Sequence, residues 1–140
     1  MAKMVPGLVF AAALATTGAA LAAAPACPVS DADSARVGTY VAAVGEAIDK
    51  APNCQRAFRI LELCQLGSSG DNALSDAARR KCEPLFHDRL DAAGKNAWRK
   101  AVARCDKLAE NNPGSLYQSF AALCLARAAR DFAGKFGRRE

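Results

Sequence analysis

The sequence predicts an all-α fold, a small bundle of four to five short helices stapled by disulfides. Two observations carry that expectation. Apolar residues recur at steps of three and four through most of the chain after residue 30, and no stretch alternates as a strand does. Six cysteines at wide spacing, Cys27, Cys54, Cys64, Cys82, Cys105 and Cys124, form an even set in a chain small enough to need covalent support. With 140 residues, 51% of them apolar when alanine is counted and 24% charged, there is room for one modest domain.

Residues 1–26 read as a secretory signal peptide. Lys3 supplies the positive start, an alanine- and leucine-rich run follows, and Ala24-Pro25-Ala26 has the small-x-small form of a cleavage site. Two alternatives exist: an uncleaved membrane anchor, and a lipoprotein with Cys27 as its first residue, although Ala24 stands where a lipidation signal has a large aliphatic residue. After cleavage, residues 27–140 form a single helical, disulfide-rich domain with no transmembrane helix. That domain holds 18 basic and 14 acidic side chains, a net charge of +4. The charge is divided unevenly, −3 over residues 27–76 and +7 over residues 77–140, which can steer the second half toward an anionic partner.

Ser30 followed by Asp31 and Asp33 predicts a helix start, with hydroxyl cap and acids in the first turn. Val37, Tyr40, Val41, Val44 and Ile48 continue one stripe, which Ala51-Pro52-Asn53 ends. Asn53 can cap a second helix through Phe58, Ile60, Leu61, Leu63 and Leu66. Gly67 to Asn72 then reads as a loop, and Ser75-Asp76 as the start of a third helical stretch that Pro84 divides. A first piece is expected to end near Lys81 and a second to run from Pro84 to Gly94. From Lys95, at 100° per residue, Ala97, Trp98, Ala101, Val102, Cys105, Leu108 and Ala109 fall on an arc between about 200° and 340°, with Lys100, Arg104 and Lys107 between about 120° and 180°. Asn111 to Gly114 forms a turn, and Ser115 opens a last helix with Leu116, Phe120, Leu123 and Phe132 facing inward. The basic tail from Gly134 is expected to fray.

The cysteine spacing excludes several chemistries. Neither the short Cys/His spacing of a zinc site nor Cys-x-x-Cys-His nor Cys-x-x-Cys occurs, so no metal and no cofactor is expected. Three disulfides are. Cys54 and Cys64 on one helix lie about 15 Å apart and cannot pair with each other. Cys105 and Cys124 are centred on the Pro113-Gly114 turn, so a hairpin brings them level; Cys82 with Cys105, centred on Gly94, competes. The favoured scheme joins Cys105 with Cys124, Cys64 with Cys82, and Cys27 with Cys54.

No catalytic residue is assigned. His87-Asp88 follows Cys82 as a His-Asp pair follows a cysteine in secreted phospholipases A2, but the spacing is longer and no glycine-rich calcium loop precedes it. A small secreted hydrolase around this pair is an alternative reading. Glu46, Glu62 and Glu83 show no spacing that singles out a general-acid pair, and no Gly-x-Ser-x-Gly occurs. Lys100, Arg104 and Lys107 form a possible binding face for an anionic envelope component; nucleic acid is not expected, because Trp98 falls on the apolar arc and the chain is read as exported.

Cys54-Gln55-Arg56-Ala57 with Glu62 and Cys64, Leu90 to Trp98 with Cys105, and Gly114-Ser115 leading to Cys124-Leu125 and Arg130 resemble the LprI-type lysozyme inhibitors, exported bacterial helical proteins. The resemblance covers about 80 residues and implies a protein that binds and inhibits a muramidase, without naming inhibitory residues. The chain departs from that pattern in a closer first cysteine pair, in Gly67 to Ala73 replacing an aspartate-rich segment, and in the additional Cys82. The expected function is a non-enzymatic periplasmic or secreted binding protein, a lysozyme inhibitor in one version and an envelope-associated adaptor for an anionic partner in the other.

Overall fold

A computed structural model describes residues 26–137. The expected signal peptide lies, save its last residue, outside the described residues. Within them the chain is all-helical, as its periodicity predicts. Six α-helices follow one another: α1 (Asp31–Val37), α2 (Tyr40–Asp49), α3 (Cys54–Cys64), α4 (Gly70–Cys82), α5 (Ala92–Glu110) and α6 (Ser115–Phe136), with two 3-10 turns, Glu83–Leu85 and His87–Arg89, between α4 and α5. The two C-terminal helices are long, and α6 continues past Gly134, where fraying was expected.

The first expected helix is two. Ser30 caps α1 in a reciprocal box with Asp33, and α1 ends at Gly38, whose φ of 95° is a left-handed cap that a side chain would strain. Thr39 then caps α2 through the Ala42 amide. Asn53 caps α3 as predicted. The expectation that Ser75 opens α4 is wrong: Ser75 is buried inside it. The helix starts at Gly70, and the carboxylate of Asp71, itself buried, accepts hydrogen bonds from the amides of Leu66 (2.7 Å), Gly67 (2.7 Å) and Ser68 (3.2 Å). An acid in the first turn thus organises the preceding glycine-rich turn rather than a separate loop.

Pro84 ends α4 as predicted, but the piece after it is not an α-helix. It forms the two 3-10 turns, which bury Phe86 and Leu90 against α6. Asp91 caps α5 through the Gly94 amide at 2.7 Å. Gly94 is buried, and a Cβ there would stand 3.1 Å from Leu90 Cδ2 and 3.2 Å from Asp91 Oδ1, so a side chain would press on both and glycine leaves the approach of helix and turn unhindered.

The core has two regions. In the first, Val44 and Ile48 of α2 meet Phe58, Ile60 and Leu61 of α3, Leu74 and Ala78 of α4, and Ala126 of α6. In the second, Phe86 and Leu90 meet Ala129 and Ala133 of α6, with the rings of Trp98, Phe132 and Phe136 packed against them. Helix α6 touches α3, α4 and α5; of its expected inward face, Leu123 and Phe132 do pack against the core while Leu116 and Phe120 do not. Its buried residues are Ser119, Ala121, Ala126, Ala129 and Ala133, because small side chains let neighbouring backbones approach. Leu116 and Phe120 are exposed instead, while Leu123 and Phe132 lie half-buried.

The cysteines form three disulfides, Cys27–Cys64, Cys54–Cys82 and Cys105–Cys124. Cys105 and Cys124 are joined across the α5–α6 turn as their spacing predicts, while Cys27–Cys64 and Cys54–Cys82 replace the expected Cys27–Cys54 and Cys64–Cys82. Tyr40, the first residue of α2, donates to the carbonyl of Cys64 at 3.0 Å and lies beside Cys27 Sγ. It fixes Cys27 at the C-terminal end of α3, far from Cys54 at the other end. The turn around Gly67 folds α4 back along α3 and returns Cys82 to Cys54. With its sulfur bonded to Cys64, Cys27 has no thiol for the lipid thioether of the alternative reading. Three disulfides point to an oxidising, extracellular or periplasmic environment.

Candidate functional site

The residues expected to form a basic face, Lys100, Arg104 and Lys107, are all exposed on α5. The structure adds to them an apolar surface that the helical arc hid. Leu108 lies one turn beyond Arg104 and is 38% exposed; across the hairpin Leu116, Tyr117 and Phe120 are 45%, 36% and 47% exposed. Tyr117 and Phe120 meet edge to face with centroids 6.0 Å apart. Leu108, Phe120, Leu123, the Cys124 end of the disulfide and Arg127 line a shallow groove of about 270 Å³ between the helices. This face therefore combines four exposed large apolar side chains with cationic groups at its margins. The two acids of the second half of α5, Asp106 and Glu110, project from the opposite flank at 100° per residue.

A second concavity lies on the other flank of α5. His87, Leu90, Ala92, Lys95, Trp98 and Arg99 surround about 510 Å³. Trp98 is half-buried and held edge-on by Phe86 and Phe132, each with its centroid 5.1 Å away. Lys95 and Arg99 stand one turn apart and exposed at the rim. No protein-family model, curated protein or solved structure matches the chain.

The His-Asp pair is a surface feature. His87 Nδ1 and Asp88 Oδ1 are 3.7 Å apart, and the aspartate side chain is fully exposed, so it does not orient the imidazole as a buried partner would. The structure brings His87 to Lys95, Trp98 and Arg99 instead. Glu46, Glu62 and Glu83 each sit in ion pairs, with Arg36 and Lys50, with Arg59, and with Arg79 respectively. The hydrogen bonds from Arg36 and Lys50 hold the Glu46 carboxyl below its ordinary range. On α4, the hydrogen bond from Arg79 at 2.6 Å, followed by the charges of Arg79 and Arg80, lowers the Asp76 carboxyl against the opposing effect of burial. Asp76 and Arg79 border a cleft of about 450 Å³ with Asn72, Ala73, Ala122 and Leu125.

Among the described residues, no group of three His, Cys, Asp or Glu is placed to hold a metal ion, and no helix is long and apolar enough to cross a membrane. Sequence reasoning missed Arg127, Lys95 and Arg99 as surface partners. Lys95 and Arg99 carried a usable signal, since their spacing with Trp98 sets two cations beside one aromatic on a helix face. Arg127 carried none, because its relation to Leu108 depends on how α5 and α6 pack.

Proposed function

We propose that this chain is a non-enzymatic binding protein of an extracytoplasmic compartment, an envelope-associated adaptor that docks on an anionic lipid surface through its α5–α6 hairpin. The observation that carries the reading is the exposure of Leu108, Leu116, Tyr117 and Phe120 together, beside Arg104, Lys107 and Arg127. Apolar and aromatic side chains flanked by cations match the boundary between headgroups and acyl chains, where the rings partition and the bases meet phosphate. The excess of basic groups in residues 77–140 adds long-range attraction that salt screens.

Co-sedimentation with phosphatidylcholine vesicles, with and without phosphatidylglycerol, tests it. Binding is expected only with the anionic lipid, weakening as salt rises. It is lost in a K100E/R104E/K107E variant and reduced by Leu116→Ser with Phe120→Ser. Equal binding to both vesicle types, or binding unaffected by charge reversal, overturns the lipid reading.

A second reading follows from the resemblance to LprI-type lysozyme inhibitors. It is supported by the acidic balance of residues 27–76, the half that suits a cationic muramidase. Lysozyme assays with purified oxidised protein decide it, and absence of inhibition at high micromolar concentration across several lysozyme types ends that version.

A further inference from the structure

We propose that the groove beside Trp98 is a separate binding site for a single-chain amphipathic anion, a molecule with an apolar body and one carboxylate or phosphate. Its volume of about 510 Å³ falls within the range of small-molecule pockets. The wall is apolar: Leu90 is buried, Ala92 adds a methyl, and Trp98 presents an indole that Phe86 and Phe132 hold in place. Phe86 is itself fully buried and packs in the same core region as the Cys54–Cys82 disulfide, so this wall is fixed before any ligand arrives.

The rim is cationic. Lys95 and Arg99 extend from the same flank of α5 as the indole, and His87 faces them from the second 3-10 turn; no acidic side chain lines the groove, Asp88 standing outside it 3.7 Å from His87 Nδ1. Asp91, the nearest acid in sequence to the helix start, directs Oδ1 to the Gly94 amide as its cap. An anion at the rim can therefore pair with Lys95 and with the planar fork of Arg99, while its chain covers Trp98 and Leu90. A neutral chain would leave the two cations without a counter-charge, and a cationic one would be repelled. This site is distinct from the hairpin face, since Lys100, Arg104 and Lys107 point away from the groove by their angular positions on α5.

Trp98 is the only tryptophan of the chain, so its emission reports on the groove directly. The oxidised protein is titrated with decanoate and with decyl phosphate, each below its micelle-forming concentration, and with decanol, decyltrimethylammonium, acetate and inorganic phosphate. A saturable blue shift is expected for either or both ten-carbon anions, the stronger binder naming the headgroup, and no shift for the other four. K95Q/R99Q should weaken binding by about tenfold or more, the loss expected when charge-assisted hydrogen bonds are removed, with unchanged circular dichroism because both residues are exposed. K100E/R104E/K107E should leave the titration unchanged, which separates this site from the proposed lipid-docking face. A response of equal size to decanol, an unsaturable drift, or full affinity in K95Q/R99Q refutes the site.

Discussion

Asp71→Asn is the sharpest test of how the N-terminal half is held. The carboxylate gathers the amides of Leu66, Gly67 and Ser68 and lies almost wholly out of solvent. Three hydrogen bonds to a charged acceptor, at about 1.5 kcal/mol each, the low end for such bonds, sum to about 4.5 kcal/mol. The freed amides lie in an exposed turn and regain water, so about 2 to 3 kcal/mol remains as the expected loss. Asparagine keeps the shape but offers one acceptor oxygen and turns an NH₂ donor toward amide donors, so it should cost nearly as much as Asp71→Ala. Urea denaturation followed by helical ellipticity measures the change, and hydrogen exchange should quicken at residues 66–68. A second reading comes from Tyr40, whose phenol is held above its ordinary value first by burial and then by the Asp71 charge; in the variant its titration should move down while staying raised. A variant within about 0.5 kcal/mol of the parent, the usual span of a neutral surface change, would refute the argument.

Other outcomes follow from the same structure. Replacing both cysteines of Cys54–Cys82 by alanine frees a loop with a sequence separation of 28, worth about 3.6 kcal/mol in chain entropy, and leaves a buried void as well. The Cys105–Cys124 pair, with a separation of 19, should cost about 3.2 kcal/mol by the same relation and less in packing; the reverse ranking in denaturation midpoints would be inconsistent with the burial described. Phe86→Ala removes a fully buried ring from the second core region and should cost about 3 to 5 kcal/mol with partial release of Trp98 emission. Because the folded-state pKa of Asp76 is lowered by Arg79, its stabilisation is present above the ordinary aspartate range and lost as pH falls through the folded value. Asp76→Asn should therefore narrow its gap to the parent as the solution is acidified, and a constant gap down to the acid transition would contradict the linkage.

The helical class, the caps at Ser30 and Asn53, the break at Pro84 and the Cys105–Cys124 hairpin were all legible in the sequence. The other disulfides were legible in part. Cys54 and Cys82 are centred on residue 68, within the Gly67–Gly70 turn, the same relation that identified Cys105 with Cys124. The glycine- and serine-rich run from Gly67 to Asn72 masks that symmetry, because its composition is that of a loop although α4 begins within it at Gly70. The inward face of α6 is legible only at Leu123 and Phe132, for a different reason. Large apolar side chains normally mark the core, but a helix touching three others is limited by backbone approach, so its alanines face in and Leu116 and Phe120 face out. The Trp98 groove joins a 3-10 turn to a helix start, and the α5–α6 face joins two helices across a turn; local periodicity carries no information about either meeting.

The interleaved order of the N-terminal disulfides bears on how the protein is made. A chain emerging from its N-terminus presents Cys27 and Cys54 before Cys64 appears, so oxidation in order of arrival joins the wrong two thiols. From there, attack of the Cys64 thiolate on the Cys27 sulfur forms Cys27–Cys64 and releases the Cys54 thiolate, which an oxidant must then join to Cys82. Cys105 and Cys124 are neighbours in the series and need no such repair. Under oxidation in order of arrival, then, an oxidant alone seals the C-terminal hairpin, while the N-terminal half also requires a means of reshuffling.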